Sequence, residues 1–111
     1  MAEEAGAVMD WESAEREWMG AVVLVGLTYV DPAGQLVRRE QLHGQIVAVS
    51  PETGIELDLS GKRTGERYWL PPQLNAFQKA PPGDYRLTET GELVRDPDLL
   101  SNWTVQAPSD A

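Results

Sequence analysis

The chain has few side chains that could carry a catalytic reaction. Its only histidine is His43, which lies between Leu42 and Gly44 in a strand-like stretch. A histidine acts as a general base when a nucleophile or substrate group is within reach, usually with a carboxylate that orients the ring. The local sequence identifies neither partner. We therefore interpret His43 as a structural or surface residue.

Glu56 and Asp58 are the best-spaced pair of carboxylates. They project from the same face of a predicted strand and could form an acid/base pair of the kind that flanks a glycosidic bond. Carboxylates on one face of a strand are more often a solvated edge, which we favour. The glycine-flanked segment 61–65 lacks both the spacing of a phosphate loop and a following helix, so it predicts a turn between strands. We predict no catalytic residue and no enzymatic activity.

Metal and cofactor chemistry has equally little support in the sequence. The chain contains no cysteine, which excludes thiolate ligands and disulfides. The segment Asp96-Pro97-Asp98 lacks the spacing and the closing glutamate of a calcium-binding EF-hand loop. We predict no metal and no cofactor.

Aromatic residues are the more informative group, because large aromatic side chains dominate both cores and interfaces. Four tryptophans occur in a chain of 111 residues. We expect Trp69 and Trp103 in or at the edge of a β domain, and Trp11 and Trp18 on a helix docked against it. The alternative is that some of these rings form an apolar patch for another protein, near Pro71-Pro72 for example. The candidate partner-binding residues are Trp11, Trp18, Glu56, Asp58, Tyr68 and Trp69.

The elements that would position these residues are mostly strands. Residues 1–10 predict a flexible acidic leader, residues 11–107 a single small domain and residues 108–111 a flexible tail. Asp10 can cap a short helix that runs through Met19. Strands are predicted at 21–30, 35–50, 54–59, 66–70, 85–88, 92–94 and 103–105, with a bend at Gly44, a loop or single helical turn within 73–84 and a short helical turn beginning at Asp96-Pro97-Asp98.

The net charge of the chain is −9, from 18 acidic and 9 basic side chains. Such a surface repels phosphate and anionic lipid, so the charge argues against nucleic acid as a partner. The charge is explained either by solubility or by a surface that meets a basic partner. The longest apolar run, 21–27, is interrupted by Gly26 and is too short to cross a bilayer, and no basic segment precedes it. We predict a cytoplasmic protein with no membrane contact.

Residues 44–57 resemble the first sequence motif of Sm-like small β-barrels. The structural positions of that motif are occupied here by Gly44, Ile46, Val49, Ile55 and Leu57. The aspartate and asparagine that help form the family's nucleotide pocket are replaced by Ser50 and Gly54, and the family's second motif is missing. The resemblance implies a mainly β fold, a small SH3-like or Sm-like antiparallel barrel of five to six strands with a short N-terminal helix. The chain is also similar to small single-domain bacterial proteins, a likeness that implies no activity.

Two functions remain open from the sequence. The first is a non-catalytic binding module or adaptor, whose aromatic cleft or acidic face engages another protein or a second copy of the chain. The alternative is an immunity-like or antitoxin-like inhibitor that presents carboxylates to a basic partner. RNA binding of the Sm-like kind is less favoured, because the pocket residues are replaced and the charge is negative.

Overall fold

The computed structural model describes residues 10–107; the predicted tail and all of the predicted leader except Asp10 lie outside this part of the chain. The fold is mainly β, as predicted; residues 10–107 form one α-helix and eight strands, more than the five to six strands expected. The elements are α1 (Trp11–Trp18), β1 (Val22–Val30), β2 (Leu36–Ser50), β3 (Gly54–Leu59), β4 (Arg67–Leu70), β5 (Phe77–Lys79), β6 (Asp84–Arg86), β7 (Leu93–Arg95) and β8 (Leu99–Gln106), with single 3-10 turns at Gly61–Arg63 and Leu74–Ala76.

Six strands form one sheet in the order β4-β3-β2-β1-β8-β5, and β6 and β7 form a separate pair. The expectation of a closed antiparallel barrel is wrong in two respects. The sheet does not close, and β8 runs parallel to β1 whereas the other neighbouring strands are antiparallel. Strand β4 ends at Pro71-Pro72, where the missing N–H groups cannot extend a hydrogen-bonded ladder. The sheet is therefore an open, curled structure with β4 at one edge.

The predicted helix is confirmed. The Asp10 carboxylate accepts a hydrogen bond of 2.8 Å from the backbone N–H of Ser13, and this bond lowers the pKa of Asp10 below its ordinary value. Ala14 and Trp18 are buried against the concave face of the sheet. At eight residues α1 is far shorter than a bilayer is thick, and no helix within residues 10–107 could span a membrane.

The main core fills the concave face of the sheet. Strand β3 alternates as its sequence predicts, with Ile55, Leu57 and Leu59 buried and the residues between them partly exposed. Trp18 and Phe77 close one end of this core, with their ring centroids 5.2 Å apart. A smaller apolar cluster lies on the convex face, where the β6–β7 hairpin covers the sheet through Leu24, Leu87 and Val94.

At Gly44, where the sequence predicts a bend, the structure shows a close approach of two strands. A Cβ atom at Gly44 would meet the Asp58 carbonyl, so glycine is needed there because two strands approach closely. The irregularity in the β2–β3 register falls between Ile46 and Ala48 instead. This is a bulge at Val47, whose side chain is exposed.

The helical turn predicted at 96–98 does not form. Asp96 adopts a left-handed conformation with φ of 45°, and its carboxylate accepts the Gly83 N–H at 2.7 Å. The Asp98 carboxylate accepts the N–H of Val22 at 2.8 Å. Both aspartates therefore bind backbone groups at the ends of strands. The sequence pattern, in contrast, predicts that they cap a helical turn. Strand β5, which the sequence predicted as part of a loop, pairs with the first part of β8.

Candidate functional site

The curled sheet leaves a groove of about 400 Å³ between β4 and the second half of β8. We call it the seam groove. It is lined from both edges of the gap, with Leu27 of β1 beneath; the lining residues are Leu27, Tyr68, Trp69, Leu70, Pro71, Trp103, Thr104, Val105 and Gln106. No charged side chain is among them. The groove is therefore largely apolar and lies where a closed barrel would have its next strand.

Side-chain alternation places two aromatic surfaces on the β4 side of the seam groove. Tyr68 is the cross-strand partner of buried Leu57, so it shares the concave face. Trp69 is paired with Glu56 and lies on the convex face, 46% exposed. Tyr68 is half-buried, and this burial raises the pKa of its hydroxyl above the ordinary tyrosine value, with smaller contributions from nearby Tyr29 and Glu40.

The opposite side of the groove is formed by β8. Trp103 and Val105 are partly buried and pack against the main core, whereas Thr104 and Gln106 are exposed. The Trp103 ring meets Phe77 edge-on at a centroid distance of 6.4 Å, and its indole N–H donates to the Ser101 hydroxyl at 2.8 Å. Trp103 is thus a fixed wall of the groove, while the exposed Trp69 can be covered by a partner.

A polar cluster lies close to Tyr68. The Glu40 carboxylate accepts hydrogen bonds from Arg63 at 2.7 Å and from the Tyr29 hydroxyl at 3.3 Å. The Arg38 guanidinium lies 4.0 Å from the centre of the Tyr29 ring. Because each charge in this cluster has an internal partner, we assign the cluster a structural role.

The predicted carboxylate pair lies on the convex face beside Trp69. Arg67 contacts both members, Glu56 at 3.3 Å and Asp58 at 3.6 Å. Because one guanidinium contacts both carboxylates, each of them has a partner within the fold that accounts for its position. Glu56, Asp58 and Trp69 form one continuous patch next to the seam groove.

The two helix tryptophans lie elsewhere. Trp18 is only 8% exposed and is packed on Phe77, so it is part of the core and offers little surface to a partner. It borders a separate cleft of about 700 Å³ between α1 and β5, whose walls include charged groups of both signs, Glu17 and Lys79. Trp11 is partly buried against the same core. The six candidates therefore divide into a helix pair and a β3–β4 group, and of the second group only Tyr68 and Trp69 line the seam groove.

His43 has a carboxylate partner that sequence analysis did not find. Its Nε2 atom lies 2.9 Å from the Glu92 carboxylate, and the two side chains are 14% and 17% exposed. The second Glu92 oxygen accepts the backbone N–H of Lys62 at 2.9 Å. Glu92 thus joins the turn before β7 to both β2 and the β3–β4 connection. Forty-nine residues separate the pair, and no local pattern in the sequence indicates it.

These contacts make Glu92 a pH-dependent support of the fold. The hydrogen bond from His43, followed by the one from Lys62, lowers the pKa of Glu92 below the ordinary glutamate value of 4.5. A carboxyl group with a lowered folded-state pKa stabilises the fold above its ordinary pKa. That contribution is lost as the pH falls through the lowered value.

We expect Glu92→Gln to reduce the free energy of unfolding at pH 7 by about 1–2 kcal/mol, because a charged acceptor of two hydrogen bonds is replaced by a neutral amide. The measurement is urea denaturation at pH 7 and pH 3, and the loss is expected to shrink at pH 3. Glu89→Gln, an exposed position in the same turn, is the matched control and should change stability little. Equal losses for the two variants would contradict the structural role of Glu92.

No group of three or more histidine, aspartate or glutamate side chains within residues 10–107 could hold a metal ion. The chain matches no family model, no curated protein and no solved structure in comparisons with known proteins.

Proposed function

We propose that the protein is a non-catalytic binding module that holds a segment of another protein in the seam groove. The observation that carries this proposal is the exposed Trp69 beside half-buried Tyr68, at an apolar groove between two sheet edges. Exposed aromatic side chains at concave apolar surfaces are typical anchors of protein recognition. A cytoplasmic location is part of the proposal.

The remaining polar groups support a binding role over a catalytic one. His43 is held by Glu92, and the carboxylates of Glu56 and Asp58 are shared with Arg67. Each of these side chains therefore makes a contact within the fold that explains its position without a catalytic role.

The SH3-like or Sm-like character of the fold is also a proposal. It is supported by the long strand β2, by the close approach at Gly44 and by the strong curl of the sheet. The Ser50 hydroxyl accepts the N–H groups of Glu52 and Thr53 at 3.1 and 3.3 Å, so this position closes a turn. That use of Ser50 gives no support to an RNA pocket at the position where Sm-like proteins carry aspartate.

Inhibition of a basic protein is the alternative. Its support is the net charge of −9 together with Glu56 and Asp58 beside Trp69, although Arg67 offsets part of their charge. The two functions differ in salt dependence. Binding dominated by the aromatic groove should change little between low and physiological ionic strength, whereas binding through carboxylates should weaken markedly.

We test the binding role by selecting ten-residue peptides from a random display library on the full chain, and then measuring the affinity of a selected peptide for variants. Trp69→Ala is expected to weaken binding about 30-fold, the effect of a typical aromatic hot spot of about 2 kcal/mol. Unfolding stability should remain within about 0.5 kcal/mol, since the side chain is half exposed.

The matched control is Leu93→Ala, another exposed apolar residue, which lies on the separate β6–β7 hairpin. It should leave the affinity unchanged. Failure to select any peptide, or equal effects of the two substitutions, would overturn the proposal.

A further inference from the structure

Among the strands within residues 10–107, none pairs with β4 on the side that faces the seam groove. Leu59 donates its N–H to the Glu66 carbonyl at 3.0 Å, which fixes the phase of the β3–β4 ladder. Backbone groups in an antiparallel ladder point alternately toward and away from the partner strand. The N–H and C=O groups of Arg67 and Trp69 therefore point away from β3, at the edge of the sheet.

The second half of β8 presents a similar edge. Ala107 donates its N–H to the Val30 carbonyl at 2.7 Å, so alternate residues of β8 point toward β1. The groups of Asn102, Thr104 and Gln106 point the other way. Strand β5 pairs only with the stretch Leu99–Ser101, which leaves these three residues unpaired by any described strand.

The two edges face each other across one groove with opposite strand directions. Strand β8 is parallel to β1, and β4 is separated from β1 by three antiparallel steps, so β4 and β8 run antiparallel. A strand placed between them would be antiparallel to one edge and parallel to the other, whichever way it entered. The free stretch from Asn102 to Gln106 is about 13 Å long, room for about five residues of an extended chain.

The donors and acceptors on both edges identify the chemistry of the occupant. Only an extended polypeptide offers alternating N–H and C=O groups to both sides at this spacing. Such a strand must have both of its own edges free. Every described strand of the chain is already hydrogen-bonded along at least one side, so no described strand of a second copy could fill the gap.

We infer that the segment bound in the seam groove enters as an additional β-strand, hydrogen-bonded to β4 on one side and to β8 on the other. The inserted strand would complete a six-stranded barrel with β8, β1, β2, β3 and β4. This inference rests on the proposed binding function and specifies its partner as an extended peptide. Successive side chains of that peptide would face alternately inward and outward.

The inward positions of the peptide meet Leu27, Tyr68 and Trp103, so they should be apolar. The outward positions lie next to Trp69, whose cross-strand neighbour is Glu56. Lysine or arginine is favoured there, because a cation interacts well with the face of an exposed indole ring. Peptides selected on the full chain should therefore alternate apolar and basic residues.

The experiment is an amide-to-ester scan of one selected peptide, measured by titration against the full-length chain. Each ester removes one N–H donor and keeps an extended backbone. Successive residues of a strand between two edges donate to opposite sides, so we expect every ester within a run of about five consecutive residues to weaken binding, each by about fivefold, the weight of one backbone hydrogen bond. Esters outside this run are the control and should have no effect.

Losses at every second position only would mean that the peptide pairs with one edge, and would overturn the insertion between both. No loss at any position would mean recognition through side chains alone; the strand inference would then fail while Trp69→Ala could still weaken binding and uphold the proposed function. If Trp69→Ala and Leu93→Ala bind the peptide equally, the proposed function itself fails.

Discussion

Gly54→Ala is expected to lower the free energy of unfolding by about 3 kcal/mol, the combined cost of an unfavourable backbone conformation and a displaced strand. Gly54 has φ of 103°, which side chains other than glycine rarely allow, and its added Cβ would collide with the Leu70 carbonyl. Because Leu70 belongs to β4, relief of this collision moves the strand that forms one side of the seam groove. Peptide binding should be lost together with stability.

The measurement for Gly54→Ala is urea denaturation, with Gly34→Ala as the matched control. Gly34 also has a positive φ, of 85°, but nothing lies within 4 Å of the position of an added Cβ. The control should therefore cost only the conformational strain, about 1 kcal/mol. If both variants lose the same stability, the close packing of β3 on the end of β4 is contradicted.

Leu57→Ala should destabilise the protein by about 3 kcal/mol, because it leaves a cavity at the centre of the main core. Leu57 is fully buried and lies between Ile46 of β2 and Tyr68 of β4 in the sheet. The substitution should also make the Tyr68 side chain more mobile, because Tyr68 lies next to Leu57 on the concave face. Reduced peptide affinity in the folded variant would follow from that displacement.

Val47→Ala is the control for the core substitution. Val47 lies at the bulge of β2 and is exposed, so removal of its two methyl groups should cost less than about 1 kcal/mol. Chemical denaturation of the two variants at one pH distinguishes them. A loss for Val47→Ala as large as that for Leu57→Ala would contradict the assignment of the concave face as the core.

Local patterns predicted the elements whose structure depends on neighbouring residues. Strand β3 was found with its true bounds, because alternation of apolar and charged residues over 54–59 is a strong period-2 signal. The helix after Asp10 was found because a capping carboxylate and the first turn lie within four residues of each other. The β6–β7 hairpin was indicated by the turn residues that separate its strands.

Features set by long-range contacts were not predictable in the same way. The parallel pairing of β1 with β8 joins residues 76 positions apart, such as Val23 and Leu99, and nothing in either segment encodes the direction of approach. Strand β5 is three residues long and exists only because β8 lies beside it. The Asp96 and Asp98 carboxylates bind strand ends that the sequence does not place nearby.

The residues of the candidate site also divide into those that the sequence identifies and those that only the tertiary structure identifies. Tyr68 and Trp69 were identified from their residue types beside two prolines, and both line the seam groove. Trp103 and Val105 were not candidates, because their contribution depends on how far the sheet curls. The predictions for Trp11 and Trp18 left core and interface open, and only tertiary packing on Phe77 places Trp18 in the core.

The most direct test of the seam groove is amide hydrogen exchange of the full-length chain, followed by NMR with and without a selected peptide. We expect the N–H groups of Arg67, Trp69, Thr104 and Gln106 to exchange rapidly in the free protein and at least about tenfold more slowly in the complex, since each gains a hydrogen-bond partner. Unchanged exchange at these four amides on binding, or full protection before any peptide is added, would contradict this expectation.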